Sequence, residues 1–352
     1  MKAKLIGLIV LILVIAGAVG YTYYQKNSRT EQISGYVGGE KIGLLEDEEV
    51  KKILRSKYHL TVNYYKAGSL DMVTADKTGK DYLFLSSQTA LELYEEKFGK
   101  PEKSEIILNT PIVIYTHKAV ADALTQQGIV SSSGDVSYVD MQKLLACIEN
   151  DTKWEDIGLS QLYGTVSIGT TDPTKSNSGN MFAGLIANTL AGGTADADNI
   201  DAALPEIKQI FSRLGYMETS SADIFSQFLK MGMGAKPMIA GYESQLLEFA
   251  YEHPDDWKEL KDDIVMLYPN PTVWSSHVYI ALDDTGTKGI DALLDPDIQK
   301  LAWEKHGFRT GVSTDKMDVN KFDVPGVLQQ VDRVSPMPDA GTMMKIIETL
   351  SQ

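Results

Sequence analysis

The sequence predicts an α/β protein, and three observations carry that expectation. From Ile33 onward, short apolar strands alternate with amphipathic helices, the pattern of a sheet covered by helices. The turns joining strand to helix are rich in glycine, serine and threonine, most visibly at 169–179. No internal repeat or low-complexity tract interrupts the series, which sets solenoids and tails aside.

The elements follow in order. Residues 46–58 read as a helix in which Val50, Ile53, Leu54 and Tyr58 share one face. Acids open it and Lys51, Lys52, Arg55 and Lys57 follow, an order that suits the helix dipole. Stretches 60–65 and 82–85 read as strands. Ser86 or Ser87 then caps a helix that buries Ala90, Leu91, Tyr94 and Phe98. Two apolar runs, 106–108 and 111–115, are separated only by Asn109-Thr110, a candidate point for the chain to cross between lobes. Residues 140–149 form a helix with Met141, Leu144, Leu145 and Ile148 inward and Cys147 beside or at the edge of that stripe. A strand at 165–168, a helix at 179–190 and a polar loop at 191–199 come next. Helices at 203–214 and 222–231 precede a strand at 238–241, a helix at 244–252 and a strand at 264–268. Pro269-Asn270-Pro271 marks a second candidate crossing. A strand at 278–282 and helices at 288–294, 297–306 and 342–350 complete the chain.

Composition narrows the function. Of 352 residues, Lys and Arg number 33 against 48 Asp and Glu, a formal charge of −15 that gives no basic face for nucleic-acid phosphate. The single cysteine, Cys147, excludes an internal disulfide framework and a cysteine-rich zinc site. The length suggests two domains or one large one.

The N-terminal residues are of another kind. Lys2 and Lys4 precede an unbroken apolar run from Leu5 to Val19, followed by Gly20 and by Tyr21, Tyr23 and Tyr24. Two readings stand side by side. Ala16 and Ala18 satisfy the small-x-small rule of a cleaved signal peptide. Counted with its tyrosine belt, the run reaches about 20 residues, enough to span a bilayer as an uncleaved anchor. On either reading the remainder works outside the cytoplasmic membrane, as an anchored or a secreted protein.

The most informative motif is Gly169-Thr170-Thr171-Asp172-Pro173-Thr174-Lys175-Ser176-Asn177-Ser178-Gly179, which links an apolar strand to an apolar helix. It nearly matches a P-loop, but Thr174 stands where the glycine before the lysine belongs, and Pro173 stiffens the loop. Two readings remain: a capped strand-to-helix turn without ligand, or a turn that offers N–H groups and hydroxyls to a polar or anionic ligand. Ser313 and Lys316 fit SxxK, the sole hint of a hydrolase. The histidines His59, His117, His253, His277 and His306 are scattered, so no zinc enzyme is expected.

Several segments together resemble the type II extracellular solute-binding proteins of bacterial transport systems. They are Gly38-Gly39-Glu40-Lys41, the run from Gly68-Ser69 to Val73, Ser86-Ser87 at a strand end, Asn109-Thr110-Pro111, the 172–179 turn, Tyr242-Glu243-Ser244-Gln245 and the late run from Glu304 to Thr310. The likeness lies in their order and placement. It implies a two-lobed type II periplasmic-binding-protein-like α/β fold with two crossing segments and a ligand cleft closed by hinge motion. Residues 1–24 would be signal peptide or anchor and 25–32 a tether. Lobe one would comprise 33–109 with 271–352, and lobe two 110–270. The resemblance puts Gly39, Glu40, Lys41, Ser69, Ser86, Ser87 and Thr110 at the cleft from the first side. Thr171, Ser176, Asn177, Ser178, Gly179, Tyr242 and Glu243 would face it from the second. Lys175 either adds charge there or points to solvent, the second being the expectation. With no arginine and few aromatics in these turns, the implied ligand is a small oxyanion held by N–H and hydroxyl donors. The partner implied is the membrane permease of an ABC-type transporter; no cofactor, metal or catalytic residue is expected. The alternative is a membrane-tethered sensor or envelope assembly module with the same fold and no transport role.

Overall fold

The computed structural model describes residues 30–310 and 318–352, with the isolated positions Ile15 and Gly17. The N-terminal segment 1–24 and the Ser313/Lys316 pair therefore lie outside the described residues, apart from those two positions. Among the described residues no helix is long and apolar enough to cross a membrane.

The first sheet begins with β1 (Glu31–Val37), which buries Ile33 and Val37 by strand alternation. β1 starts inside the expected tether and pairs in parallel with β2 (Leu60–Lys66). Between them lie α1 (Ile42–Glu46) and α2 (Glu48–Lys57). The helix expected over 46–58 is α2, which starts two residues later, and Glu46 instead ends the short α1. Asp47 leaves helical geometry so that its carboxylate can accept the N–H groups of Glu49 and Val50, which starts α2 afresh. α3 (Ser69–Thr74), β3 (Tyr82–Phe84) and α4 (Gln88–Phe98) follow. Ser87 caps α4, as expected of one of the two serines. Its buried face is Thr89, Ala90, Leu93 and Tyr94, whereas Phe98 is largely exposed beneath the Lys77 ammonium, 4.2 Å from the ring centre.

β4 (Lys103–His117) joins the two halves of the molecule. The two apolar runs around Asn109-Thr110 are one continuous strand. Its first half, to Pro111, pairs antiparallel with β9 (Thr272–Ala281), which also borders β3. Its second half pairs with β7 (Met238–Tyr242) and β8 (Ile264–Pro269). The strand order β2-β1-β3-β9-β4-β8-β6-β5 continues through a hairpin of β5 (Val130–Ser133) and β6 (Val136–Val139), with β7 on β4 and β10 (Val334–Ser335) on β9.

Helices cover the second sheet: α5 (Lys118–Gln126), α6 (Met141–Glu149), α7 (Asn177–Ala191), α8 (Ile200–Arg213), α9 (Ser221–Met231), α10 (Glu243–Glu252) and α11 (Pro254–Leu260). α7 is buried almost all round, and its Phe182, Leu185 and Ile186 centre the largest core cluster. The strand expected at 165–168 is absent. Val166 and Ile168 are buried, but that stretch contributes only isolated bridges, Thr165 to Lys153 and neighbouring Gly169 to Ile239. α12 (Asp284–Leu293) and α13 (Pro296–Glu304) return to the first sheet, where Ile290 and Ile298 join Ile33 and Phe84. The last helix, α14 (Ala340–Leu350), buries Met343 and Ile346 in the α7 cluster and Ala340 in one beside α4. The C-terminus therefore lies across both halves.

Candidate functional site

Between the two sheets lies a cavity of about 390 Å³. Gly38, Gly39, Glu40, Gly68, Ser69 and Ser86 line it from the first side; Lys175, Ser176, Asn177 and Ser220 are among those lining it from the second. Of the sequence-expected residues, Gly39, Glu40, Ser69, Ser86, Ser176 and Asn177 reach it. Lys175 is exposed at its rim, in keeping with the expectation of a solvent-facing lysine.

Local chemistry shapes the second wall. Asp172 folds the loop before α7: its carboxylate accepts the Thr174 N–H at 2.8 Å and the Thr174 hydroxyl at 2.7 Å, while its carbonyl takes the Ser176 N–H. The Ser178 and Thr171 hydroxyls are 2.7 Å apart. A side chain at Gly179 would meet the Thr171 carbonyl at 2.1 Å, so this packing requires glycine. No side chain caps α7, which leaves the N–H groups of its first turn, Asn177, Ser178 and Gly179, without intrahelical partners. The Asn177 amide donates to the Tyr242 hydroxyl at 3.0 Å and to the Ser86 carbonyl at 2.8 Å.

Beneath the first wall sits a buried ionic cluster. Lys41 is wholly buried and donates to Glu40 at 2.7 Å and to Ser86 at 2.6 Å. Its ammonium lies 3.1 Å from His277 Nδ1, so this nitrogen accepts and the imidazole is neutral. Burial, and then the Lys41 charge, hold His277 well below its ordinary value. Burial alone would push Glu40 up, yet Lys41 prevails and lowers its carboxyl to about 2. Burial lowers Lys41, with Glu40 opposing. Ser86 hydrogen bonds to both members of the pair.

The other expected residues form the support behind the cavity. The Ser69 hydroxyl, although at the wall, accepts the Ser86 N–H at 2.8 Å. Ser87 caps α4, and Thr110 accepts the Ser244 N–H at 3.2 Å. Tyr242, Thr171, Ser178 and Gly179 are buried behind Asn177. Glu243 faces away, paired with Arg309 through bonds of 2.6 and 2.8 Å and accepting the Tyr268 hydroxyl. Burial opposes the Arg309 charge, but Glu243 raises the guanidinium above its ordinary value.

Lys66, Asp71, Thr219, Ser220, Ser221 and Asp223 also line the cavity and are not among the sequence-expected residues. The Thr219–Ser221 hydroxyl run before α9 was a usable sign, since it repeats the chemistry of the 172–179 turn. His277 and Arg309 offered none, because their partners are remote in sequence.

No protein-family model matches the sequence. No curated protein matches it either. Solved structures do. The substrate-binding protein of an ABC transporter from Agrobacterium tumefaciens aligns over 92% of this chain and 94% of its own, at 12% identity and a TM-score of 0.57. The periplasmic binding protein AfuA of Actinobacillus pleuropneumoniae, with fructose 6-phosphate bound, aligns over 91% and 96%, at 14% identity and 0.54. The sulfate-binding protein SubI of Mycobacterium tuberculosis aligns over 92% and 96%, at 14% identity and 0.53. The chain has the two-lobed α/β fold of type II periplasmic binding proteins.

Proposed function

We propose that this protein is an extracytoplasmic solute-binding protein that captures a small oxyanion between its lobes and delivers it to the membrane permease of an ABC-type transporter. The observation that carries this reading is the cavity between the two sheets, walled by hydroxyls from both sides and by glycine backbone from the first, and bordered by the uncapped start of α7. Such an end stabilises negative charge through its N–H groups and the helix dipole. Lys66 and Lys175 supply positive charge at the wall against Asp71 and Asp223, and Lys41 offsets Glu40 from below. The fold supports the same reading, since SubI is named for sulfate and AfuA holds a phosphorylated sugar. We take the hinge to be the paired strands β4 and β9, with lobes near the expected boundaries except for the C-terminal residues from Phe322 on, which pack largely on the second half, and the role to be binding rather than catalysis.

The test is a thermal-unfolding screen with sulfate, phosphate, molybdate and a neutral sugar, alongside native mass spectrometry of the fresh protein. A bound ligand at a hundredfold its Kd stabilises by about 2.7 kcal/mol. An oxyanion should raise the midpoint and the sugar should not. No shift with any anion, and no co-purifying ligand, would sink the transport reading in favour of a sensor or assembly role.

A further inference from the structure

Away from the cleft, three metal-competent side chains converge at the junction of the two halves. Glu248 and Glu252 lie one turn apart on α10, so their carboxylates share a face. His306 follows α13 and meets them there: one donor atom from each of the three lies within 4.8 Å of the others. His306 is 2% exposed, and its Nδ1 is 2.6 Å from a Glu248 oxygen. Glu252 is exposed and keeps the cluster open to water.

A second observation concerns the far side of the imidazole. Its Nε2 is buried with no hydrogen-bond partner and lies 3.6 Å from Asp47 Oδ2, beyond hydrogen-bond reach. Asp47 is itself fixed, by the Glu49 and Val50 N–H groups on one oxygen and by Lys305 at 2.8 Å on the other. A carboxylate behind the outer nitrogen of a histidine is the arrangement that orients metal-ligating imidazoles. One nitrogen and two carboxylates with a fourth position open to water suit zinc, whereas calcium and magnesium prefer all-oxygen shells.

We propose that Glu248, Glu252 and His306 form a site for a zinc-type divalent cation, with Asp47 as the positioning residue behind His306. The ion replaces the His306–Glu248 hydrogen bond. The ring proton then resides on Nε2, facing Asp47, and the Nδ1 lone pair goes to the metal. Because α10 packs on the second sheet while Asp47 belongs to the first, the bound ion links the two halves of the molecule.

The experiment is zinc titration of the full chain, purified without a histidine tag and stripped with EDTA, by calorimetry and thermal unfolding. Wild type should bind one zinc with a raised midpoint, and calcium should not compete. Glu252→Gln, at an exposed position, should weaken zinc binding by tenfold or more, and His306→Gln should do the same. Asp47→Asn keeps the helix cap and should weaken it by roughly tenfold, the scale of a lost supporting carboxylate. Absence of saturable zinc binding by wild type, wild-type affinity in Glu252→Gln or His306→Gln, or effective competition by calcium would each overturn the proposal.

Discussion

Asn177 and Ser86 are joined by a 2.8 Å hydrogen bond from the side-chain amide of one to the carbonyl of the other. It spans the cavity, because Asn177 opens α7 against the second sheet and Ser86 ends the segment after β3 in the first. The same amide reaches the Tyr242 hydroxyl, so one side chain reports the position of both halves. Asn177→Ala should remove both bonds at a cost of about 1–2 kcal/mol in ligand binding, some five- to thirtyfold in Kd by calorimetry. Unchanged affinity would show that closure does not use this contact.

The 172–179 turn is tested by the double variant Ser176→Ala with Ser178→Ala. Ser176 lines the cavity and Ser178 holds the turn against Thr171. Oxyanion affinity should fall at least tenfold relative to Ser178→Ala alone, which controls for the stability lost with the buried Thr171–Ser178 bond. Equal affinity would remove the turn from the site.

Gly68 faces the Lys175 carbonyl, which a side chain there would meet at 2.6 Å. The contact lies between backbone segments on opposite walls, so it cannot be relieved by a rotamer change. Gly68→Ala should hold the walls apart, visible as a larger radius of gyration in small-angle scattering and as weaker binding. A ligand-bound radius equal to wild type would refute this.

Glu40 and Lys41 form the buried pair at the floor. Glu40→Gln strands the Lys41 charge, and breaking such a pair costs about 3–5 kcal/mol in urea unfolding. Adding Lys41→Met should restore most of that loss. The Glu40 carboxyl is lowered to about 2, so its contribution is present above the ordinary carboxylate range and is lost as pH falls toward that value. The acid limb of the stability curve should therefore be shallower in the double variant.

Glu149 behaves in the opposite sense. Burial, and then Glu206 beside it, raise its carboxyl to about 7. A raised carboxyl contributes stability below its ordinary value that is lost as pH rises through 7. The unfolding midpoint should fall between pH 5 and 8, and Glu206→Gln should flatten that decline.

Much of the architecture was legible because it is written locally. The hydroxyl turn before α7, the Ser87 cap and the apolar runs flanking Asn109-Thr110 each rest on residues within a few positions. What was hidden is long-range. The resemblance puts Lys41 at the cleft, but nothing near it in sequence shows that His277, 236 residues later, is brought beside its ammonium. Glu243 stood in a turn that suggested ligand, yet Arg309 claims it from 66 residues away. Residues 165–168 are apolar enough for a strand, but burial there is met by side-chain packing and single bridges. The break at Asp47 was concealed by its acidic neighbours, any of which could have opened the helix.

The passage between the halves is made by β4 and β9, hydrogen bonded to one another from Lys103–Ala281 to Pro111–Trp274. A connection of this kind bends as a two-stranded ribbon instead of flexing as a loop. Amide exchange should then be slow along β4 and β9 and fast at the cavity rim. A protease that cuts one of the two strands would leave the halves held by the other, so a nicked protein should still migrate as one particle under native conditions.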